Sequence, residues 1–110
     1  MGFPEHPVEV FDRTFASEVA AFRGPAAVLF WTPWCGHCAR LLPIFDELAS
    51  EFSGYIKFVK IDLDKNAATA SQHQIASVPV LLLFKDGRIV NRLVGALPKY
   101  QLEHHLKSLV

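Results

Sequence analysis

The sequence predicts an α/β domain, a central mixed β-sheet with helices on both faces, in the order βαβαβαββα. Three features of the chain point there. Ala26–Thr32 is a nearly continuous apolar run, the pattern of a strand buried on both faces, and Tyr55–Asp62 reads as a second. The segments between such runs space their apolar residues at helical intervals, which supplies the crossovers that buried parallel strands need. Late in the chain, Asp86-Gly87 joins two runs as a tight hairpin would.

Taken in order, Val8–Phe11 reads as a short first strand. Asp12 is placed to cap a helix over Arg13–Phe22, with Phe15, Val19 and Phe22 on one face, and Gly24-Pro25 ends it. After the Ala26–Thr32 strand, Pro33-Trp34 turns the chain into a long helix over Cys35–Phe52. Pro43 interrupts that helix and should kink it, while Leu42, Phe45, Leu48, Ala49 and Phe52 form its inward stripe. The Tyr55–Asp62 strand leads to a short helix over Asn66–His73. Val80–Lys85 and Arg88–Val94 are the hairpin strands, and Pro98 suits the first turn of a last helix reaching Leu109.

The 110 residues fit one domain, and the hydrophobic half of the chain (51%) is enough for a core without added staples. Eleven basic residues balance eleven acidic ones, and no basic stripe is available to neutralise phosphates. Nucleic acid is therefore not an expected partner. Met1–Pro7 lacks the basic start and apolar core of a signal peptide, and Val78–Phe84 is too short to span a bilayer. A cytoplasmic location, with no membrane partner, is the expectation.

The only two cysteines, Cys35 and Cys38, close almost no loop, so bracing is a poor explanation for them. In a reducing compartment such a pair is catalytic or metal-binding. Zinc needs four ligands, and this chain has no second cysteine pair; His37 lies between the cysteines, and His73, His104 and His105 fall in unrelated helices. His104-His105 reads as a solvated surface pair, and Asp62 and Asp64 as turn and cap residues. Redox chemistry remains. At i and i+3 the two sulfurs are one helical turn apart and can bond to each other. The partial positive charge of a helix N-terminus favours a thiolate at Cys35, which makes it the nucleophile. Cys38, one turn inward, would attack the resulting mixed disulfide and release reduced product. Gly36 lets the chain turn tightly into the helix. A protonated His37 would add a cation near Cys35 and make the couple more oxidising; roughly 30 mV corresponds to about 1.4 kcal/mol for two electrons.

With Trp34-Cys35-Gly36-His37-Cys38 after a buried strand, Pro43 in the next helix and Val78-Pro79 late in the chain, the sequence resembles the thioredoxin family. The resemblance runs from Val8 to the last helix. It includes Phe30-Trp31, Asp64, the Leu81–Lys85 strand, Gly87 and Gly95. It implies a thioredoxin fold, with residues 1–110 as a single thioredoxin domain. It further implies that Pro79 is a cis-proline facing the disulfide and that Val78 offers backbone groups to an extended substrate segment. Gly95 would leave room for that substrate, and Trp34 would wall the contact surface. Otherwise Pro79 is an ordinary edge-strand proline and Trp34 a partly buried core ring.

Two positions depart from the family pattern. His37 replaces the usual proline and gives the Cys-Gly-His-Cys form typical of protein disulfide isomerase domains. Leu29 stands where the family has a buried acid thought to take the inner cysteine's proton. Lys60 matches the lysine that normally lies near that acid; as a neutral amine it, or water beside it, could take over, unless it merely snorkels to solvent. The resemblance implies a protein-disulfide reductase acting on disulfide-containing proteins. It would be a monomer, recharged by a thioredoxin reductase, with no metal, flavin or nucleotide cofactor. An oxidase or isomerase, suggested by His37, and a non-catalytic binding subunit using Trp34, Val78 and Leu97 are the alternatives.

Overall fold

The computed structural model describes residues 5–110, so the first four residues of the expected domain, and part of the Met1–Pro7 reading, lie outside the described residues. Five strands form one sheet in the order β1-β3-β2-β4-β5. They are β1 (Val8–Glu9), β2 (Pro25–Trp31), β3 (Lys57–Asp62), β4 (Val80–Lys85) and β5 (Arg88–Val94). The β1–β3 and β3–β2 pairs are parallel, and the β2–β4 and β4–β5 pairs antiparallel. The sheet is mixed, as expected. β2 sits at its centre, with Val28 opposite Val59 on one side and Leu82 on the other.

Both faces of the sheet are covered, because the central strands are apolar at successive positions and so present hydrophobic side chains on either side. On one face Ala27, Leu29, Phe58, Leu81 and Leu83 pack against two helices, α1 (Gly36–Glu51) and α3 (Lys99–Lys107). On the other, Val28, Phe30, Ile61, Val80 and Leu82 meet Phe15 and Val19 of the first helical segment and Ala70 of α2 (Ala67–Gln72). Two separate cores result, one per face.

Several local expectations are corrected. The first strand stops at Glu9, and the following helix is not an α-helix over Arg13–Phe22 but a wide turn over Ala16–Ala20. Its Ala21 N–H reaches back five residues to the Ala16 carbonyl (2.8 Å), the mark of a π-turn. Asp12 does not cap this segment. Its carboxylate accepts instead from the Thr69 N–H (2.9 Å) and hydroxyl (2.6 Å), and its own N–H donates to Asn66 Oδ1 (2.8 Å). It thus caps α2 from across the chain, where Asn66 makes no side-chain cap of its own.

The inward stripe of α1 is Cys38, Leu41, Phe45, Leu48 and Ala49; Leu41 takes the buried place expected of Leu42, which is only half-covered. α1 is assigned without a break through Pro43. A short 3₁₀ turn, Leu63–Lys65, follows β3, with Asp62 accepting from the Asp64 N–H (3.0 Å). Pro98 sits one residue before α3, as its N-cap. The hairpin turns on Asp86 (φ 54°) and Gly87 (φ 81°), as Asp-Gly predicts.

Candidate active site

β2 leads the chain from the sheet centre into α1, and the two cysteines sit at that junction. Cys35 is the N-cap residue, extended (φ −89°, ψ 117°), while Gly36 is already helical. Its N–H donates to the Thr32 carbonyl (3.4 Å), closing the turn through Pro33-Trp34. Its sulfur takes the capping role that a serine or aspartate oxygen usually plays, accepting from the Cys38 N–H (3.3 Å). Both cysteines are free thiols.

The two sulfurs have opposite environments. Partial burial pushes the Cys35 thiol up, but its neighbours outweigh that and leave it below the ordinary value. These are the Cys38 thiol, the Cys38 and His37 backbone N–H groups and the Arg40 guanidinium. Cys38 is fully buried. Burial, together with the hydrogen bond it gives Cys35, pushes its thiol up to about 11, opposed by the Thr32 backbone N–H. One thiol is ready to ionise, and the other resists.

The sequence-predicted neighbours arrange themselves as follows. The Val78–Pro79 peptide bond is cis, and the Val78 carbonyl lies 3.9 Å from Cys35 Sγ, which brings the late Val-Pro pair to the dithiol. Pro79 is buried and precedes β4, a strand with a neighbour on each side, so it is not an edge-strand proline. Its carbonyl accepts from the Gly95 N–H (2.9 Å). Gly95 has φ 93° and nothing within 4 Å of where a Cβ would sit, so it is both conformationally suited to glycine and open. Trp34 is 73% exposed, which rules out a core ring, and its indole N–H donates to Asp64 Oδ2 (2.6 Å). Asp64 therefore fixes that ring, a role sequence reading missed by treating it as a turn residue.

His37 is exposed, and its Nδ1 is hydrogen-bonded by Arg40 Nη2. A guanidinium has only donors, so Nδ1 is the acceptor and the ring in this contact is neutral. The positive charge that bears on Cys35 is Arg40's. Arg40 was not singled out from the sequence, although its i+3 spacing from His37 was the available signal.

Leu29 is fully buried opposite Lys60 of β3, so the position expected to hold a buried acid carries an apolar side chain. Lys60 is half-buried, with its ammonium 5.8 Å from the centre of the Trp31 ring. Among the described residues no hydrogen bond joins Lys60 to Cys38. The buried Trp31 indole N–H has no hydrogen-bond partner among the described residues. His104 and His105 stack edge to face on α3, and among the described residues no group of three His, Cys, Asp or Glu is placed to hold a metal.

A low-lying thiolate capping a helix, with a buried partner thiol one turn away, defines a dithiol–disulfide exchange centre. The comparisons with known proteins agree. The family model described as Thioredoxin matches residues 6–108. The chain is 45% identical over 97 residues to Thioredoxin 1 of Synechococcus elongatus, covering 88% of this chain and 91% of that one. It is 44% identical over 101 residues to the thioredoxin of Haemophilus influenzae, covering 92% and 94%. For the thioredoxin of Pseudomonas aeruginosa the figures are 40% over 104 residues, 94% and 96%. The chain belongs to the thioredoxin family and is a thioredoxin-type thiol–disulfide oxidoreductase.

Proposed function

We propose that this chain reduces disulfides in proteins, with Cys35 as the attacking sulfur and Cys38 as the resolving one. The opposed environments of the two thiols are the observation that carries the reading. The Cys35 thiolate attacks one sulfur of a substrate disulfide, forming a mixed disulfide and releasing the first substrate thiolate. Cys38 then loses its proton and attacks Cys35 Sγ. The second substrate thiolate leaves, the Cys35–Cys38 disulfide remains, and two electrons have passed to the substrate. A thioredoxin reductase or similar dithiol donor restores the pair. The chemistry resides in the two sulfurs, with no bound cofactor.

Around this couple, Trp34 forms one wall of the substrate contact, Val78 offers its backbone to an extended segment and Pro79 holds that backbone against Cys35. Gly95 leaves the opposite side clear. Gly36 and His37 set the turn between the sulfurs. Lys60 tunes the inner one: with Leu29 unable to accept a proton, the Cys38 proton leaves through water beside Lys60. Residues 1–110 act as one domain, as a monomer, in the cytoplasm; no helix among the described residues is long and apolar enough to cross a membrane.

Two single substitutions test the order of attack. With a disulfide-bonded peptide as substrate, Cys38→Ser accumulates a stable mixed disulfide at Cys35, whereas Cys35→Ser forms none and reduces nothing. In the Cys38→Ser protein, iodoacetamide labels Cys35 with a midpoint below the ordinary thiol value of 9.0. A Cys35→Ser protein that still reduced the peptide would sink the assignment. The equilibrium potential against glutathione separates reductase from oxidase, the latter lying tens of millivolts higher, on the order of the spread between such proteins.

A further inference from the structure

Arg40 stands three residues after His37 on α1, and Nη2 of its guanidinium is hydrogen-bonded to His37 Nδ1. This contact fixes more than a rotamer. Because the donor cannot be the imidazole, the single ring proton must reside on Nε2. Protonating Nδ1 requires the contact to break, because a protonated Nδ1 has no lone pair left to accept from the guanidinium. Among the described residues no acidic side chain is hydrogen-bonded or ion-paired to either group. Both side chains are exposed at the helix start, so the charged and titratable groups the contact involves are Cys35, His37 and Arg40.

We propose that Arg40 is a positioning residue for the dithiol: it holds His37 as the neutral Nε2–H tautomer. In place of a histidinium, it supplies the fixed positive charge that steadies the Cys35 thiolate. Ordinarily a histidine between the cysteines would make the site respond to pH near its own titration. Here the charge comes from a group that does not titrate. The thiolate is then supported equally at slightly acid and slightly alkaline pH, and the histidine contributes shape rather than charge. This deepens the reading of Cys35 as the attacking sulfur, and its kinetic arm rests on that reading.

Arg40→Met, at an exposed position, removes the donor and the charge together. Two readouts are taken on the reduced protein: the ring-nitrogen shifts of His37 by long-range nitrogen–proton NMR, and Cys35 alkylation by iodoacetamide from pH 5 to 9. Intact protein should show the Nε2–H pattern through neutral pH and one alkylation inflection. In Arg40→Met the nitrogens should move toward a tautomer mixture that protonates on acidification. Alkylation at pH 7 should fall about threefold or more, with a second inflection from His37. Arg40→Lys, which keeps the charge, should recover most of the rate. A local packing role would leave the His37 nitrogens where they are. If either readout in Arg40→Met matches the intact protein, the proposal is overturned. Should Cys35 prove not to be the attacking sulfur, the trapping experiment fails while the His37 nitrogen pattern still reports on Arg40.

Discussion

One helical turn separates Cys35 from Cys38, yet the first thiol faces N–H groups and a cation, while the second is fully buried against its partner thiol, with the Thr32 N–H only partly offsetting that burial. On the proposed reading, attack by Cys35 is favoured at neutral pH, while resolution requires a proton to leave a buried sulfur that in the reduced pair is pushed up to about 11. Leu29 makes that requirement visible, since its fully buried side chain neither accepts a proton nor carries charge. Leu29→Asp should speed resolution of the mixed disulfide at neutral pH. It should also cost about 2–4 kcal/mol of stability, because the carboxylate enters an apolar core. Stopped-flow decay of a peptide mixed disulfide, alongside urea unfolding, checks both. Lys60→Met in the same assay should shift the pH profile of resolution upward; an unchanged profile removes Lys60 from the proton's path.

Among the elements, the β4–β5 hairpin combines local and distant constraints at one residue. Gly87 has φ 81°, and a Cβ there would sit 2.2 Å from the Ala20 carbonyl oxygen. Gly87→Ala should therefore destabilise the fold by about 2 kcal/mol or more, read as a lowered urea midpoint, since backbone strain and backbone overlap add. The Asp-Gly turn made this hairpin legible, and both strand ranges, Val80–Lys85 and Arg88–Val94, match the sequence reading. Short-range signals served well wherever the partner was also local. They failed at Asp12, whose cap-like position suggested a helix beginning next to it, whereas its partner Thr69 is 57 residues away. They failed more mildly on α1, where five apolar positions could satisfy two adjacent stripes and only packing chose Leu41 over Leu42. At the site, the dithiol was legible because its spacing is its chemistry. Arg40 and the Trp34–Asp64 bond were not, since their roles depend on side-chain direction.

On the scale of the whole molecule, the Asp12 clasp ties the segment after β1 to the start of α2. Asp12→Ala should lower stability by about 1 kcal/mol at neutral pH, a typical capping loss. Its hydrogen bonds to Thr69, chiefly the hydroxyl's, hold the Asp12 carboxyl below its ordinary 3.8. A depressed folded-state value means the contribution is complete above that ordinary value and fades as pH falls through the folded one. Thermal melts of intact and Asp12→Ala protein should accordingly converge in strong acid and separate above about pH 5. Both cores depend on β2 and β4, so loss of either strand's packing is felt on both faces.

β4 also carries a hazard that its position conceals. Val80-Leu81-Leu82-Leu83-Phe84 is uncharged and strand-prone, the composition from which cross-β aggregates nucleate. In the native sheet β2 and β5 occupy both of its edges, and Lys85 and Asp86 stand at its end as gatekeepers. β5, exposed along most of its length, is thereby a sacrificial rim: it takes the outer place in the sheet, with the Arg92 guanidinium tied back to the His73 and Gln74 carbonyls (2.9 Å each), so that the stickiest five residues keep both edges paired.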